Sequence, residues 1–516
     1  MFTFQSSIFI THNFRKTISK SHWTVAVAST ENPSKLDGNL KSWKEIPGPS
    51  ALPFIGQLHH FLPGGELAVL LGPDGSQAMR TIIDKYGPIV RFDSTFGMEP
   101  MLLLSDPETS AYILRSENWL PIRIGFISLE YYRKKYKKSK GQAVGTTGLI
   151  SEQGDMWKEF RSAVNPVMLQ PRTIKLYNDV LDEVALDMIK RMKADRNENN
   201  MIRSKLDDEM NLWALESIGT VALGCRLNCL DSDLPNDSPQ KVLIQCIHDF
   251  FIIANQLDFK PNFWRYISTP MFKKAMALYE RHENVTKYFL RKGIEELKKN
   301  DGQKRDSEKS VLEKLYEINE EYAYIMASDM LFAGVDTASN TVIATLYLLA
   351  TNQDKQDKLR EELSSKSERR SYLKACIKEG LRIMPVVTGN MRKTTKEYNI
   401  MGYRIPKDMS LIFMHKEMSL MDHHYPRAKE YIPERWMVDK DDPLYHGNAH
   451  PFAHAPFGFG VRSCIGRRIA ELEIETFTAR VIENFKVEWF GPPPRVVQAS
   501  INYIKGPFNF IFKDVK

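Results

Sequence analysis

Apolar residues recur at three- and four-residue intervals through much of this chain. Tyr177, Val180, Leu181, Val184, Met188 and Met192 form one such run, the mark of a helix that buries one face. The same spacing predicts helices over 208–224, 271–299, 320–350, 371–383 and 465–485. Strand-like runs are few and short: 89–92 and 101–105, split by a turn at 97–100, then pieces near 398–405 and in the last twenty residues. Residues 46–53, Ile-Pro-Gly-Pro-Ser-Ala-Leu-Pro, can form neither helix nor central strand and read as the lead-in to the folded domain. No internal repeat is visible. The pattern predicts a mainly α fold with small β-sheets.

Composition narrows the class. The chain has 516 residues, 42% hydrophobic and 26% charged, which excludes disorder and coiled coil as descriptions of the whole. Cys225, Cys229, Cys246, Cys376 and Cys464 are too few and too scattered for a disulfide scaffold and suit a reducing compartment. No apolar stretch reaches the length of a membrane span. A net charge of +7 is mild for this size and does not point to nucleic acid.

The first thirty residues differ from the rest. They hold Arg15, Lys16 and Lys20, ten Ser and Thr, interleaved Phe and Ile, and no acid before Glu31. That composition predicts a mitochondrial transit peptide over 1–30, cleaved before about residue 43 and followed by a single domain over 44–516. Its removal takes three positive charges from +7, leaving +4. The densest charge run, Arg-Lys-Lys-Tyr-Lys-Lys-Ser-Lys at 133–140, reads as a solvated, mobile loop, with a membrane-surface or acidic-partner contact as the sharper alternative.

The chemistry centres on Cys464. It precedes a predicted helix, where free N–H groups and the helix dipole favour thiolate over thiol. Gly460 and Gly466 allow backbone to pass close to a flat ligand, and Arg462 can pair with an acidic group on it. A lone thiolate is no zinc site, but it suits an axial ligand to haem iron. The other four cysteines read as structural.

The segment Phe457-x-x-Gly460-x-Arg462-x-Cys464-x-Gly466 resembles the haem-binding loop of cytochromes P450. Three further segments follow the family's order. Glu379-Gly380-Leu381-Arg382 resembles the Glu-x-x-Arg of the K helix, its two charges sharing one helix face, with Arg435 as the third, structural member. Ala333-Gly334-Val335-Asp336-Thr337-Ala338 resembles the I helix, where the acid–alcohol pair manages protons. Asp336 and Thr337 are therefore the candidate relay, and a local opening of the helix there is expected to make a groove facing the iron. The family often has a hydroxyl residue where this chain has Ala338. Trp157-Lys158-Glu159-Phe160-Arg161 is similar to the C-helix motif whose Trp and Arg reach the haem propionates; Arg392 and Arg462 match further propionate positions.

The resemblance implies the P450 fold, haem b as cofactor and monooxygenase activity. The presequence points to the mitochondrial class, and insect members are the most similar. Lys374 and Lys378 match the lysine pair with which that class binds its acidic, adrenodoxin-like ferredoxin, and Arg467 and Arg468 would widen the patch. NADPH would then act indirectly, through ferredoxin reductase and ferredoxin, on the matrix side of the inner membrane, with peripheral membrane association. By resemblance the substrate wall includes Phe332, Ala333, Val386, Val387 and Thr388, mostly apolar and suited to a lipophilic steroid or xenobiotic. The alternatives are a P450-fold isomerase or dehydratase, or a haem sensor, none needing external electrons.

Overall fold

The computed structural model describes residues 40–515 apart from 53–54, 69–74, 95–98, 143–144, 233, 261, 300–304, 306–307 and 366–368. The expected transit peptide, and residues 97–98 of the turn at 97–100, lie outside the described residues. The helical spacing translates into long helices. Seven of them build the site: α1 (Gly154–Met168), α2 (Leu206–Leu223), α3 (Pro239–Asp258), α4 (Pro270–Lys299), α5 (Glu320–Thr351), α6 (Ser371–Ile383) and α7 (Arg467–Asn484). α5 is apolar on nearly every side and accordingly runs through the interior, packed along α2 and flanked by α3, α4, α6 and α7. The 177–192 run lies against α2 and α7 with Leu181, Val184, Met188 and Met192 buried.

Strand signals also appear where predicted. β1 (Ile89–Phe92) pairs antiparallel with β2 (Met101–Leu104). β3 (Asn390–Lys393) and β4 (Ser410–Phe413) complete that sheet in the order β1-β2-β4-β3. The 398–405 signal is a hairpin of Tyr398–Ile400 and Tyr403–Ile405, turned at Met401 and Gly402, both at positive φ. Near the C-terminus, β5 (Arg495–Gln498) and β6 (Asn502–Lys505) pair antiparallel. The lead-in runs along an edge: Pro47 accepts a hydrogen bond from the Arg91 N–H at 2.9 Å, and a Cβ at Gly48 would lie 2.2 Å from the Arg91 carbonyl.

The basic run at 133–140 is a correction to the sequence reading. It is not a solvated loop but belongs to a helical segment, with Tyr132–Tyr136 in π geometry and Lys137–Ser139 continuing it. Buried or half-buried acids on other elements hold three of its six cations: Arg133 pairs with Asp329 at 2.9 Å, Lys134 with Glu152 at 2.8 Å, and Lys137 with Glu283 at 2.9 Å, while Lys135, Lys138 and Lys140 are exposed. Sequence showed the cations but not the acids that fold back onto them. Among the described residues, no helix is long and apolar enough to cross a membrane.

Candidate active site

The Cys464 loop is closed by its own backbone. The Cys464 N–H donates to the Phe457 carbonyl at 2.8 Å, and the Ser463 N–H to the Gly460 carbonyl at 3.0 Å. Gly458 and Gly460 take φ of 73° and 69° to make this turn, a region that side chains rarely enter. Gly466 caps α7, and its N–H bonds back to the Cys464 sulfur. A Cβ added at Gly466 would meet nothing within 4 Å, so the backbone there borders open space. The Cys464 side chain is likewise open on one face.

Two effects oppose each other at this sulfur. Burial pushes the free Cys464 thiol up, against the Gly466 N–H and the nearby Arg123, Arg161 and Arg467, which pull it down. A coordinated cation would reverse that balance.

Guanidinium groups surround the open space. Trp157 and Arg161, four residues apart on α1, share a face. Arg161 donates to the Ser463 carbonyl at 3.0 Å and leaves its Nε buried without a partner. Arg462 lies 3.6 Å over the Trp157 ring and donates to the Pro121 and Glu152 carbonyls and to Gln153 Oε1. Arg392, buried in β3, pairs with Glu117 at 2.9 Å and reaches the Phe459 carbonyl at 3.3 Å. Burial and mutual repulsion hold Arg462 down to about 9, and burial with Arg123 holds Arg161 down to about 10. Arg123, which sequence reasoning did not single out, is lowered by burial and by Arg392. It follows Ile122, whose bridge to Lys393 fixes its place, and an irregular segment carries no periodic signal to reveal it. Four cations thus face one paired carboxylate. Such a set suits a flat ligand with two carboxylates, which is what haem is, so these residues fit the group.

α5 departs from expectation in two ways. It continues unbroken from Glu320 to Thr351, with no local opening. Thr337 Oγ1 donates to the Ala333 carbonyl at 2.7 Å, a bond that leaves the helix intact. Gly334 serves packing instead, since a Cβ there would lie 2.6 Å from Ile218 on α2. Nor do Asp336 and Thr337 share a face. Ala333 and Thr337 lie on the open side, whereas buried Asp336 accepts a hydrogen bond from the Tyr503 hydroxyl at 2.6 Å, with His248 3.9 Å away. Adjacent helical residues point about 100° apart. Burial pushes the Asp336 carboxyl up, against Tyr503 and His248. Tyr503 and His248 were not legible beforehand, because β6 and α3 reach α5 only through the tertiary fold.

Of the other wall residues, Phe332 is buried in an aromatic cluster with Phe250 and Phe251, at ring distances of 4.2 and 5.0 Å. Val386 is buried and accepts a hydrogen bond from the Asn502 N–H, Val387 is exposed, and the Thr388 carbonyl accepts from the Lys416 N–H. Glu379 receives two hydrogen bonds from Arg382, at 2.7 and 2.9 Å, one from Arg435 at 2.8 Å and one from Trp436 at 2.9 Å. Lys374 and Lys378 stand exposed on one side of α6 while Leu373, Cys376 and Ile377 are buried. Arg467 and Arg468 are exposed at the start of α7, Arg467 pairing with Glu471 at 2.9 Å.

A mainly helical fold whose one open thiol is ringed by guanidiniums defines a haem-thiolate protein. A family model described as Cytochrome P450 matches residues 46–506, and the chain belongs to that family. It is 36% identical to cytochrome P450 CYP12A2 of Musca domestica over 94% of each chain. It is 35% identical to the probable mitochondrial cytochrome P450 12b2 of Drosophila melanogaster, over 89% of this chain and 87% of that one. The mitochondrial cytochrome P450 12b1 of Drosophila acanthoptera is 31% identical over 89% and 88%. Family membership makes the chain a haem monooxygenase and bears out the expected fold.

Proposed function

We propose that this chain is a mitochondrial, ferredoxin-dependent monooxygenase that hydroxylates a lipophilic substrate, a steroid or a xenobiotic. One oxygen atom of O2 enters a C–H bond and the other leaves as water, with two electrons from NADPH and two protons closing the balance. The observation that carries this reading is the open Cys464 thiol under a cluster of arginines with too few acids. Haem, when bound, supplies the activation of dioxygen. Cys464 would hold its iron. Arg123, Arg161, Arg392, Arg462 and Trp157 would hold its carboxylates, and Phe457 and Gly466 would border the ring. On the open side of α5, Thr337 keeps a hydroxyl proton beside the Ala333 carbonyl. Asp336 holds its proton exchange toward Tyr503 and His248 instead, so this chain's acid would exchange protons from the far side of the helix.

Lys374, Lys378, Arg467 and Arg468 form the docking face for an acidic ferredoxin, where a basic patch steers the encounter. The relatives named mitochondrial support assigning residues 1–30 as a transit peptide and 44–516 as the catalytic domain, on the matrix side of the inner membrane. The test is reduction under carbon monoxide with mitochondrial ferredoxin and its reductase, set beside microsomal P450 reductase. A thiolate-type ferrous–CO band that appears only with ferredoxin is expected. A band driven only by the microsomal enzyme would overturn the partner assignment, and no thiolate band with dithionite would overturn Cys464.

A further inference from the structure

The two docking lysines of α6 are held in different ways. Lys374 stands 3.9 Å from Glu475 on α7, a carboxylate that offsets its charge. Lys378 stands over the Trp436 ring, its ammonium 5.8 Å from the ring centre, and among the described residues it has no ion pair. Burial pushes the Glu475 carboxyl up, and of the two lysines Lys374 opposes that more than Lys378 does. Lys358 also lies over a ring, that of Tyr372 at 4.6 Å, but it pairs with Glu434 at 3.1 Å, which cancels its charge. Lys378 is therefore both held and uncancelled.

The ring beneath it is fixed from the interior. Trp436 is half-buried and ends a short helical turn, Pro433–Trp436. Its indole N–H donates to Glu379 at 2.9 Å, and Arg382 and Arg435 fix that carboxylate in turn. The His446 and His454 rings pack beside it at 4.8 and 5.7 Å. Burial, with Arg382 and His415, holds His454 down to about 3, so it brings no second cation to the indole. An aromatic face attracts an ammonium without neutralising it. A carboxylate in the same place would hold the lysine but cancel the field that an acidic partner senses.

We propose that Trp436 is a positioning residue for redox-partner docking: its ring holds the Lys378 ammonium in place, still fully charged, for a carboxylate of the ferredoxin. This rests on the ferredoxin reading above. A free lysine loses rotamer freedom when a partner pins it, and a lysine already held loses less. The ring therefore slows the release of ferredoxin, whereas the lysine charges set how fast it arrives.

The test compares Trp436→Phe with Trp436→Leu in the haem-loaded protein, following oxidised mitochondrial ferredoxin by surface plasmon resonance at low ionic strength. Both variants lose the indole N–H that Glu379 accepts, so a folding defect from that loss appears in both; they differ in the π face. Leu should release ferredoxin roughly two- to fivefold faster than Phe, the worth of one exposed cation–π contact, with the association rate unchanged. On a Lys378→Gln background the two should release it equally. Trp436→Met fills the space without a π face and should repeat the Leu result if Leu disturbs the turn. Equal release by Phe and Leu, a difference that survives on Lys378→Gln, or a change in the association rate alone would each overturn the proposal. If Lys378→Gln binds ferredoxin as wild type does, the docking reading itself falls, and the role of Trp436 with it. If Lys378→Gln weakens binding while Phe and Leu behave alike, only the present inference falls.

Discussion

Two groups of arginines stand under opposite conditions in this molecule. Arg382 and Arg435 are fully buried, as is Glu379 between them, and their remaining donors reach the carbonyls of Ser419, Ala428 and Pro426. That group is complete in itself. Around Cys464, Arg123, Arg161, Arg392 and Arg462 meet a single paired carboxylate, Glu117, and Arg161 Nε is left unpartnered. The first arrangement repays the desolvation of its charges inside the fold; the second needs an anion from outside. The difference separates residues that hold the chain together from residues that wait for a ligand, although the residue type is the same.

The largest effect should come from Glu379→Gln. It strips the shared counter-charge from two guanidiniums that no solvent reaches, and breaking such a buried pair costs about 3–5 kcal/mol. The unfolding free energy should drop by that amount, read as a lower urea midpoint, in haem-free and haem-loaded protein alike. A midpoint equal to wild type would show that the carbonyl acceptors alone satisfy both arginines, and the contrast between the two groups would fail.

Arg161→Gln should behave in the opposite sense. It gives up one hydrogen bond to the Ser463 carbonyl, worth about 1 kcal/mol, while removing a buried cation that has no acid partner. Stability of the haem-free protein should therefore change little. Haem retention should fall by roughly ten- to a hundredfold, the worth of one charge-assisted contact, measured as haem transfer to apomyoglobin. A large loss of haem-free stability with unchanged retention would place Arg161 in the first group instead.

The same contrast explains what sequence could reveal. Glu379 and Arg382 sit three apart on one helix, and Trp157 and Arg161 four apart, so local spacing already put each pair on one face. The long helices were legible for the same reason, since 3.6-residue periodicity is a local property. What stayed hidden depends on chain that returns from afar. Trp436 and the carbonyls of 419–428 complete the Glu379 group across some 40 to 57 residues. Arg123 enters the second cluster from an irregular segment, and Tyr503 takes Asp336 from a strand 167 residues away. The I-helix motif lies in a helix, as its apolar spacing predicts, but without the opening expected there. Gly334 lies against Ile218, and no pattern within α5 encodes a neighbour on α2.

The smallest structural effect, and the most selective functional one, belongs to cations of neither group. Lys374 and Lys378 are exposed, and Lys374 has only the half-buried Glu475 at 3.9 Å, so neither is the close partner of a fully buried charge. Surface ion pairs of this kind contribute about 0–1 kcal/mol. Replacing both with Gln should leave the urea midpoint and peroxide-driven turnover unchanged. At low ionic strength the apparent KM for ferredoxin should rise about tenfold, because the lost charges act by steering. Salt should erase that difference, since a Debye length of about 10 Å at 0.1 M shrinks to about 3 Å at 1 M. If peroxide-driven turnover falls in step with ferredoxin-driven turnover, the lysines support the fold of α6 and belong with Arg382. If only the ferredoxin KM moves, and salt closes the gap, α6 carries a docking function on one face and a folding function on the other.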